Sequence, residues 1–522
     1  MTRARVRQAL RQRFPFGLLV LSLASLVVAA AGWRLLLSRD GASRAVGPSP
    51  SPTLATDPSA SPSASPTSLE PTVETAGPIN TSFPGLSTFR GNATRSYYGE
   101  GPVPMHPTVL WRYPGSGGLC MQSTAFGETT TWCGTGWTGQ PNVIEHEDGT
   151  IEVRIGAYDG RYHFLDGRTG EPLRPDLVTG DLAKGSATSD PDGYPLYYAG
   201  SRDNLLRVVA LDRRKPKVLW SVNADTSVPG GGLWNNDWDG APLVVDDHLM
   251  EGGENSWFYV IGLNRGYDED GKVTVDPEIV VTEPGYDQEL LAALPDGDVS
   301  IESSVAFHDG VAYFANSGGL VQGWDVSDVL SGGKDARRVF RFWTGDDTDA
   351  TVVIDEEGFL YVASELQRFN ARAEAVGQLM KLDPRDPERP LVWSVPVTER
   401  GGDGLGGLWS TPAVYGDMVY ASTNYGDLLG VDRGSGKVRW QLHLPGPTWS
   451  SPVPMDGVLL QGDCGGVLHA YDISNERREP PELWSLPIDG GCIESTPAVW
   501  EGMIFVGTRS GGFYGIGDRG SA

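Results

Sequence analysis

Three carboxylates, Asp239, Glu302 and Glu494, and two tryptophans, Trp409 and Trp449, stand at equivalent positions of an internally repeated sequence. Carboxylates gathered in one place offer the oxygen ligands that a divalent cation takes. Two neighbouring indoles can stack a flat ligand or a sugar. Gln122 falls at the same repeat position, and Asn235, Asn236 and Asp237 enlarge the polar set just before Asp239. The expected site is therefore a ligand-binding surface built from Trp409, Trp449, Gln122 and Asn236, with Asp239, Glu302 and Glu494 as the metal ligands. A water-filled channel without a ligand is the competing reading. Asp346-Asp347-Thr348-Asp349 opens a further repeat and adds acids to the same place. Asp268-Glu269-Asp270-Gly271 resembles part of a calcium loop but lacks the spaced later ligands, and reads as an exposed acidic turn. No catalytic residue is assigned: the 7 histidines are scattered singly, none beside a Gly-x-Ser-x-Gly turn.

The elements that position these residues come from aligning the chain with itself. Trp409-Ser410-Thr411-Pro412-Ala413-Val414 matches Trp449-Ser450-Ser451-Pro452-Val453, Glu494-Ser495-Thr496-Pro497-Ala498-Val499 and Glu302-Ser303-Ser304-Val305-Ala306. A turn with Gly, an apolar strand, a second Gly-rich turn and a strand ending in Asp follow, as in Leu429-Gly430-Val431-Asp432. The unit closes on Trp, as in Lys437-Val438-Arg439-Trp440. Four short antiparallel strands per unit make a propeller blade. The aspartate caps a tight turn, and the Trp is an apolar plate that wedges between blades. Inner strands starting at Gln122, Gly185, Asp239, Glu302, Thr348, Trp409, Trp449 and Glu494 predict an all-β, eight-bladed β-propeller of four-stranded blades, with an N-terminal transmembrane helix. The third unit has Asn264 where others have Asp, and an acidic loop from Tyr267 to Gly285 interrupts its outer strand. The last unit ends at Gly515-Ile516-Gly517 without a fourth strand, and Val109-Leu110-Trp111-Arg112-Tyr113 supplies it from the other end of the chain.

The Asp, Gly-rich turn and Trp of Gly430–Trp440 resemble the tryptophan-docking motif of PQQ-repeat propellers, and Phe89-Arg90-Gly91-Asn92-Ala93-Thr94-Arg95 looks like the lead-in common in that superfamily. The resemblance covers residues 85–518 and implies the fold. The superfamily includes quinoprotein alcohol dehydrogenases and the propeller subunit of the outer-membrane assembly machinery. The chain has neither the adjacent Cys-Cys pair typical of the former nor the lipid-acceptor Cys usual in the latter. The expected function is a binding or scaffold module engaging a cell-envelope protein or a small ligand. The alternative is a PQQ-dependent quinoprotein oxidoreductase, which would imply PQQ and calcium as cofactors.

The ends of the chain and its charge set the compartment. Residues 1–13 are basic and 14–37 are apolar, long enough to cross a bilayer. The five arginines ahead of the apolar run hold the N-terminus in the cytoplasm. A retained single-pass anchor is expected; the competing reading is a signal peptide cleaved near Ala29-Ala30-Ala31-Gly32. Residues 38–81 are a Ser/Pro/Thr-rich linker, and 82–522 form the propeller on the extracytoplasmic side of the cell membrane. A net charge of −26 sets aside nucleic-acid partners and leaves cations or neutral glycans. The 4 cysteines form no Cys-x-x-Cys pair. An even number in an exported chain reads as two disulfides. Of the three possible connectivities, the nearest pairs, Cys120–Cys133 and Cys464–Cys492, are expected.

Overall fold

A computed structural model describes residues 85–520, except 126, 138, 229, 230 and 403. The expected anchor (14–37) and linker (38–81) lie outside the described residues. Among the described residues no helix is long and apolar enough to cross a membrane.

Eight antiparallel sheets follow one another around an axis. In chain order, the innermost strands of blades 1 to 8 are Asn142–Glu145, Thr188–Ser189, Leu243–Val245, Ala306–His308, Val353–Ile354, Ala413–Tyr415, Val453–Met455 and Ala498–Trp500. Blade 6 shows the pattern in full: Ala413–Tyr415, Met418–Ser422, Asp427–Asp432 and Val438–His443 pair in sequence order. The ring closes as the sequence implied. Pro107–Tyr113 pairs antiparallel with Phe513–Asp518 as the outer strand of blade 8, which leaves no unpaired seam between the chain ends.

The tryptophans lock adjacent blades. Trp393 of blade 5 donates its indole N–H to the Arg433 carbonyl of blade 6 at 3.0 Å. Trp111 donates to Gly167 of blade 1 at 2.9 Å. Glycine is required beneath the indole: Gly436 has φ +70°, and a Cβ there would lie 2.7 Å from the Trp393 ring. Asp432 closes the same turn by accepting from the Ser435 amide (2.8 Å) and hydroxyl (2.6 Å).

The Ser-Thr-Pro segments have a separate task. The amides of Gln140, Ala241, Ser304, Thr351 and Thr411 donate to the hydroxyls of Ser186, Ser304, Thr351, Thr411 and Ser451 on the next blade, at 2.6–3.0 Å. These bonds fix the register between blades and correct the sequence alignment in three places. The positions equivalent to Trp409 are Lys184 and Asp349, one residue from Gly185 and Thr348. Gln122 is not on an inner strand. It lies exposed on a separate hairpin, Cys120–Ala125 with Glu128–Cys133. That hairpin's alternating, threonine-rich strands mimic a blade in sequence. In blade 3 the acidic stretch does not interrupt the outer strand: Glu278–Pro284 is that strand, and Gly266–Tyr267 with Val273–Thr274 form a hairpin ahead of it. Asp268 caps that hairpin's turn, as expected of an exposed acidic turn.

The lead-in segment closes the axial channel. Leu86 pairs with Val143 and Gly99 with Val499. The Ser87, Ala93 and Thr94 carbonyls accept from Ser189, Phe307 and Ile354 at 2.7–2.9 Å, and the Tyr98 hydroxyl accepts from Val414 at 2.8 Å. These partners share one register position in blades 1, 8, 2, 4, 5 and 6. Each is an inner-edge amide that would otherwise be buried without a partner. Blade 7 has Pro454 there, which has no N–H. Arg95, fully buried, donates to the carbonyls of Phe89, Ala241 and Val305. Burial pulls its pKa down to about 9. Arg90 reaches the Thr411 carbonyl at 3.0 Å.

Candidate functional site

Above this plug, the loops that enter the inner strands form a mouth. In blade order from 2 to 8 the corrected register position reads Lys184, Asp239, Glu302, Asp349, Trp409, Trp449, Glu494. One side of the ring is charged and the other aromatic.

On the charged side, the Lys184 ammonium sits 2.5 Å from Asp239, 2.7 Å from Glu254 and 3.1 Å from Asp237. Arg202 pairs with Asp237 through Nε at 3.1 Å, and Asn235 donates to Glu254 at 2.7 Å. Two cations face three buried carboxyls. Burial is the leading influence on both aspartates: it pushes Asp237 up to about 6 and Asp239 well above the ordinary carboxylate range. Glu254 is lowered despite its burial, with Lys184 the chief cause and a hydrogen bond from Asp239 a further one. The cluster thus sets Lys184 and Arg202 against three buried carboxyls, and burial biases the two aspartates toward their protonated forms. The amine stands where a metal ion would.

On blade 5, where it faces blade 4, lies a second group. Carboxylate oxygens of Asp347, Asp349 and Glu365 come within 4.8 Å of one another, and all three residues are buried. The Ser317 hydroxyl donates to Asp349 at 2.8 Å, and Arg368 lies 3.7 Å from Asp347. Hard oxygen ligands at this spacing suit a calcium-like ion.

On the aromatic side, the Trp409 and Trp449 rings lie 4.6 Å apart at 38°. Trp137 lies 5.8 Å from Trp409 at 40°. Trp409 is 4% exposed, so the half-buried Trp137 and Trp449 present the accessible faces. Trp449 is fixed by its N–H bond to Asn424 at 2.6 Å. Glu494, next in the ring, is held by Arg509 at 2.9 Å.

The expected residues therefore separate. Trp409 and Trp449 meet, their rings 4.6 Å apart. Asp239, Glu302 and Glu494 do not converge: Asp239 is engaged by Lys184, Glu302 accepts from Ser300 at 3.2 Å, and Glu494 is paired with Arg509. Asn236 reaches outward to Asp225 at 3.4 Å, while its neighbour Asn235 joins the cluster. Sequence reading missed Lys184, Glu254, Glu365 and Trp137. A lysine one residue from an aligned inner-strand start, in a lysine-poor chain, was the available signal for Lys184. Both disulfides form as expected, Cys120–Cys133 and Cys464–Cys492.

Eight four-stranded blades locked by docked tryptophans define a β-propeller. Residues 206–453 match the family described as outer membrane protein assembly factor BamB. No curated protein matches the chain. Among solved structures, the quinohemoprotein alcohol dehydrogenase of Comamonas testosteroni superposes with a TM-score of 0.53 at 14% identity, over 84% of this chain and 81% of that one. Saccharomyces cerevisiae Sqt1 superposes at 0.51 and 10% identity, over 73% and 95%. BamB of Moraxella catarrhalis reaches 0.36 at 13% identity, over 80% and 99%. At these identities the likeness concerns fold alone.

PQQ, a planar tricarboxylate, needs cations free to meet its carboxylates. The mouth's cations Lys184, Arg202, Arg368 and Arg509 each already face carboxylates of the protein. These residues do not fit the cofactor as they stand.

Proposed function

We propose that the chain is a membrane-tethered, extracytoplasmic binding or scaffold module whose working surface is the propeller mouth, and that this mouth takes a cationic organic group from a small ligand or an envelope protein. The observation that carries the reading is the Trp409–Trp449 pair, set in the ring between the carboxylates Asp349 and Glu494. Indole faces attract cations through their quadrupole, and neighbouring carboxylates strengthen that field. The plug beneath gives the mouth a floor, so a ligand lodges there instead of passing through. The alternative, a PQQ- and calcium-dependent oxidoreductase, would take calcium ligands from the Asp347–Asp349–Glu365 group and would require the mouth's paired cations to turn to the cofactor.

Titration of the purified protein with benzyltrimethylammonium, followed by tryptophan fluorescence, tests the first reading. Saturable quenching that Trp449→Ala abolishes is expected; no quenching, or quenching unchanged in the variant, would overturn it. Incubation with PQQ and calcium, then desalting, tests the second. Cofactor absorbance retained by the wild type and lost in Glu365→Gln would establish the oxidoreductase reading instead.

A further inference from the structure

The plug itself carries a site of different chemistry. Arg90, in the lead-in, is fully buried. Its main chain is clamped by Gln140 of blade 1, whose side chain accepts from the Arg90 amide at 2.8 Å and donates to the Pro497 carbonyl of blade 8 at 2.8 Å. Its Nη2 donates to the Thr411 carbonyl of blade 6 at 3.0 Å. The anchors on blades 6 and 8 stand on either side of blade 7, whose Pro454 offers the plug no N–H. The guanidinium packs over the Tyr98 ring at 4.9 Å and the Phe89 ring at 5.7 Å. Its Nε and Nη1 are buried and meet no acceptor among the described residues.

The charge of this side chain is not balanced as it is elsewhere in the ring. Lys184, Arg202, Arg368 and Arg509 each pair with a carboxylate at 2.5–3.1 Å, and Arg95 lies in the field of Glu251. Among the described residues no carboxylate forms an ion pair with Arg90; the ionisable group beside it is Tyr98. That phenol is no counter-ion: burial raises its pKa, and its hydroxyl donates to the Val414 carbonyl at 2.9 Å. Burial lowers the Arg90 pKa to about 10, which still leaves the guanidinium charged at neutral pH. A buried charge without a counter-charge is strongly unfavourable. Two further donors on the anchoring segments are also buried without a partner: the Trp409 indole N–H, two residues before Thr411, and the Thr496 hydroxyl, one residue before Pro497.

We infer that the plug holds a small inorganic anion of the size of chloride against Arg90 Nε and Nη1. Donors on a charged group bind an anion more strongly than neutral ones. Water accepts from the same two donors but brings no charge, whereas an anion satisfies the donors and balances the guanidinium. Enclosure between two aromatic rings and the inner edges of the blades favours a monatomic ion over an organic one. The inference does not rest on the reading of the mouth.

Bromide, which replaces chloride and scatters X-rays anomalously, is the structural probe on the full chain. Crystals grown in bromide are expected to show an anomalous peak within hydrogen-bond distance of Arg90 Nε and Nη1. Water there without an anomalous signal, or bromide confined to other positions, would overturn the inference; this arm needs no variant. In solution, urea unfolding is followed as chloride replaces gluconate at constant ionic strength, which holds screening fixed. The wild type is expected to gain stability saturably with chloride, as binding to the folded state alone requires. Arg90→Met should weaken the apparent chloride affinity about tenfold or more, the loss of charge-assisted hydrogen bonds. Arg389→Met, at an exposed arginine, should leave it unchanged. Equal stability in chloride and gluconate, or a chloride response that Arg90→Met retains in full, would equally refute the anion site.

Discussion

Lys184→Met separates charge from packing in the mouth. Methionine keeps most of the apolar stem and removes the ammonium that lies 2.5–3.1 Å from three carboxyls. Those carboxyls are at most 2% exposed, so water cannot replace the amine. Among the described residues, Arg202 is left as the cation paired with them. Removing one partner of a buried ion pair costs about 3–5 kcal/mol. The electrostatic share of that loss must depend on pH, in a direction the carboxyls fix. Burial first of all raises Asp237 to about 6 and Asp239 well above its ordinary value; Lys184 opposes both rises, and Arg202 also opposes that of Asp237. A folded-state pKa above the unfolded value means that the folded protein holds more protons, so stability falls as pH climbs from about 4 through the folded value. Without the amine both pKa values rise further. The variant's deficit should therefore be small near about pH 5, where the carboxyls can protonate, and reach about 3–5 kcal/mol near about pH 8. Calcium at about millimolar levels should recover part of it, because three carboxylates offer oxygen ligands. Urea unfolding at the two pH values, with and without calcium, measures this. An equal deficit at both pH values, untouched by calcium, would refute charge balance and leave Lys184 a packing residue.

His163, buried beside Tyr113 of the closing strand, lies 3.2 Å from Asp159 and 3.1 Å from Asp176; burial alone would lower its pKa, but the two carboxylates push it up to about 9. Its contribution, up to about 3 kcal/mol, is present in full below the unfolded value of about 6.5 and lost as pH rises through about 9, so His163→Gln should cost stability at neutral pH and almost nothing near about pH 10 in urea unfolding. Trp393→Ala should cost about 3–5 kcal/mol by emptying the joint between blades 5 and 6, and Gly436→Ala should also destabilise, since its Cβ would meet the Trp393 ring at 2.7 Å; thermal melts compare the two. Arg95→Met should cost about 3 kcal/mol or more by leaving the buried carbonyls of Phe89, Ala241 and Val305 without their donor, and Arg95→Lys should recover only part of it, because an ammonium cannot reproduce the planar fork.

The parts of the molecule written in a repeating code were legible. Each Asp-turn-Trp unit had to satisfy the same turn geometry and the same joint with its neighbour, so blade number, ring closure and the role of Trp393 or Trp111 could be read from spacing. The mouth has no such code. Its residues precede the inner strands, and strands as short as Thr188–Ser189 and Val353–Ile354 carry too little alternation to set a register. A slip of one residue hid Lys184 behind Gly185 and Asp349 behind Thr348. Whether acids bind a metal or a neighbouring amine depends on Lys184 and Glu254, which arrive from different loops. The plug was concealed for a related reason. Apart from the Tyr98 hydroxyl, it meets the blades through its main chain, and main-chain partners leave no mark on side-chain identity.

With the axis closed by the lead-in, a ligand can approach only one face or the other, and the two disulfides stiffen the mouth face. Cys464–Cys492 ties a turn of blade 7 to the loop that delivers Glu494. Cys120–Cys133 closes the hairpin beside blade 1. Arg509 joins them: its amide donates to the Cys492 carbonyl at 2.9 Å, its Nε to the Cys133 carbonyl at 3.0 Å and its Nη1 to Glu494 at 2.9 Å. Its guanidinium also packs over Trp132 and Tyr158, at 5.0 and 4.6 Å. Both covalent links therefore converge on the carboxylate next to Trp449 in the ring. Disulfides persist where the surroundings are oxidising, and there they would fix this corner before any ligand arrives. A preorganised aromatic and acidic surface loses little entropy on binding. Stiffness concentrated at that corner is what a recognition surface requires, and it supports the mouth as the place where this propeller meets its ligand.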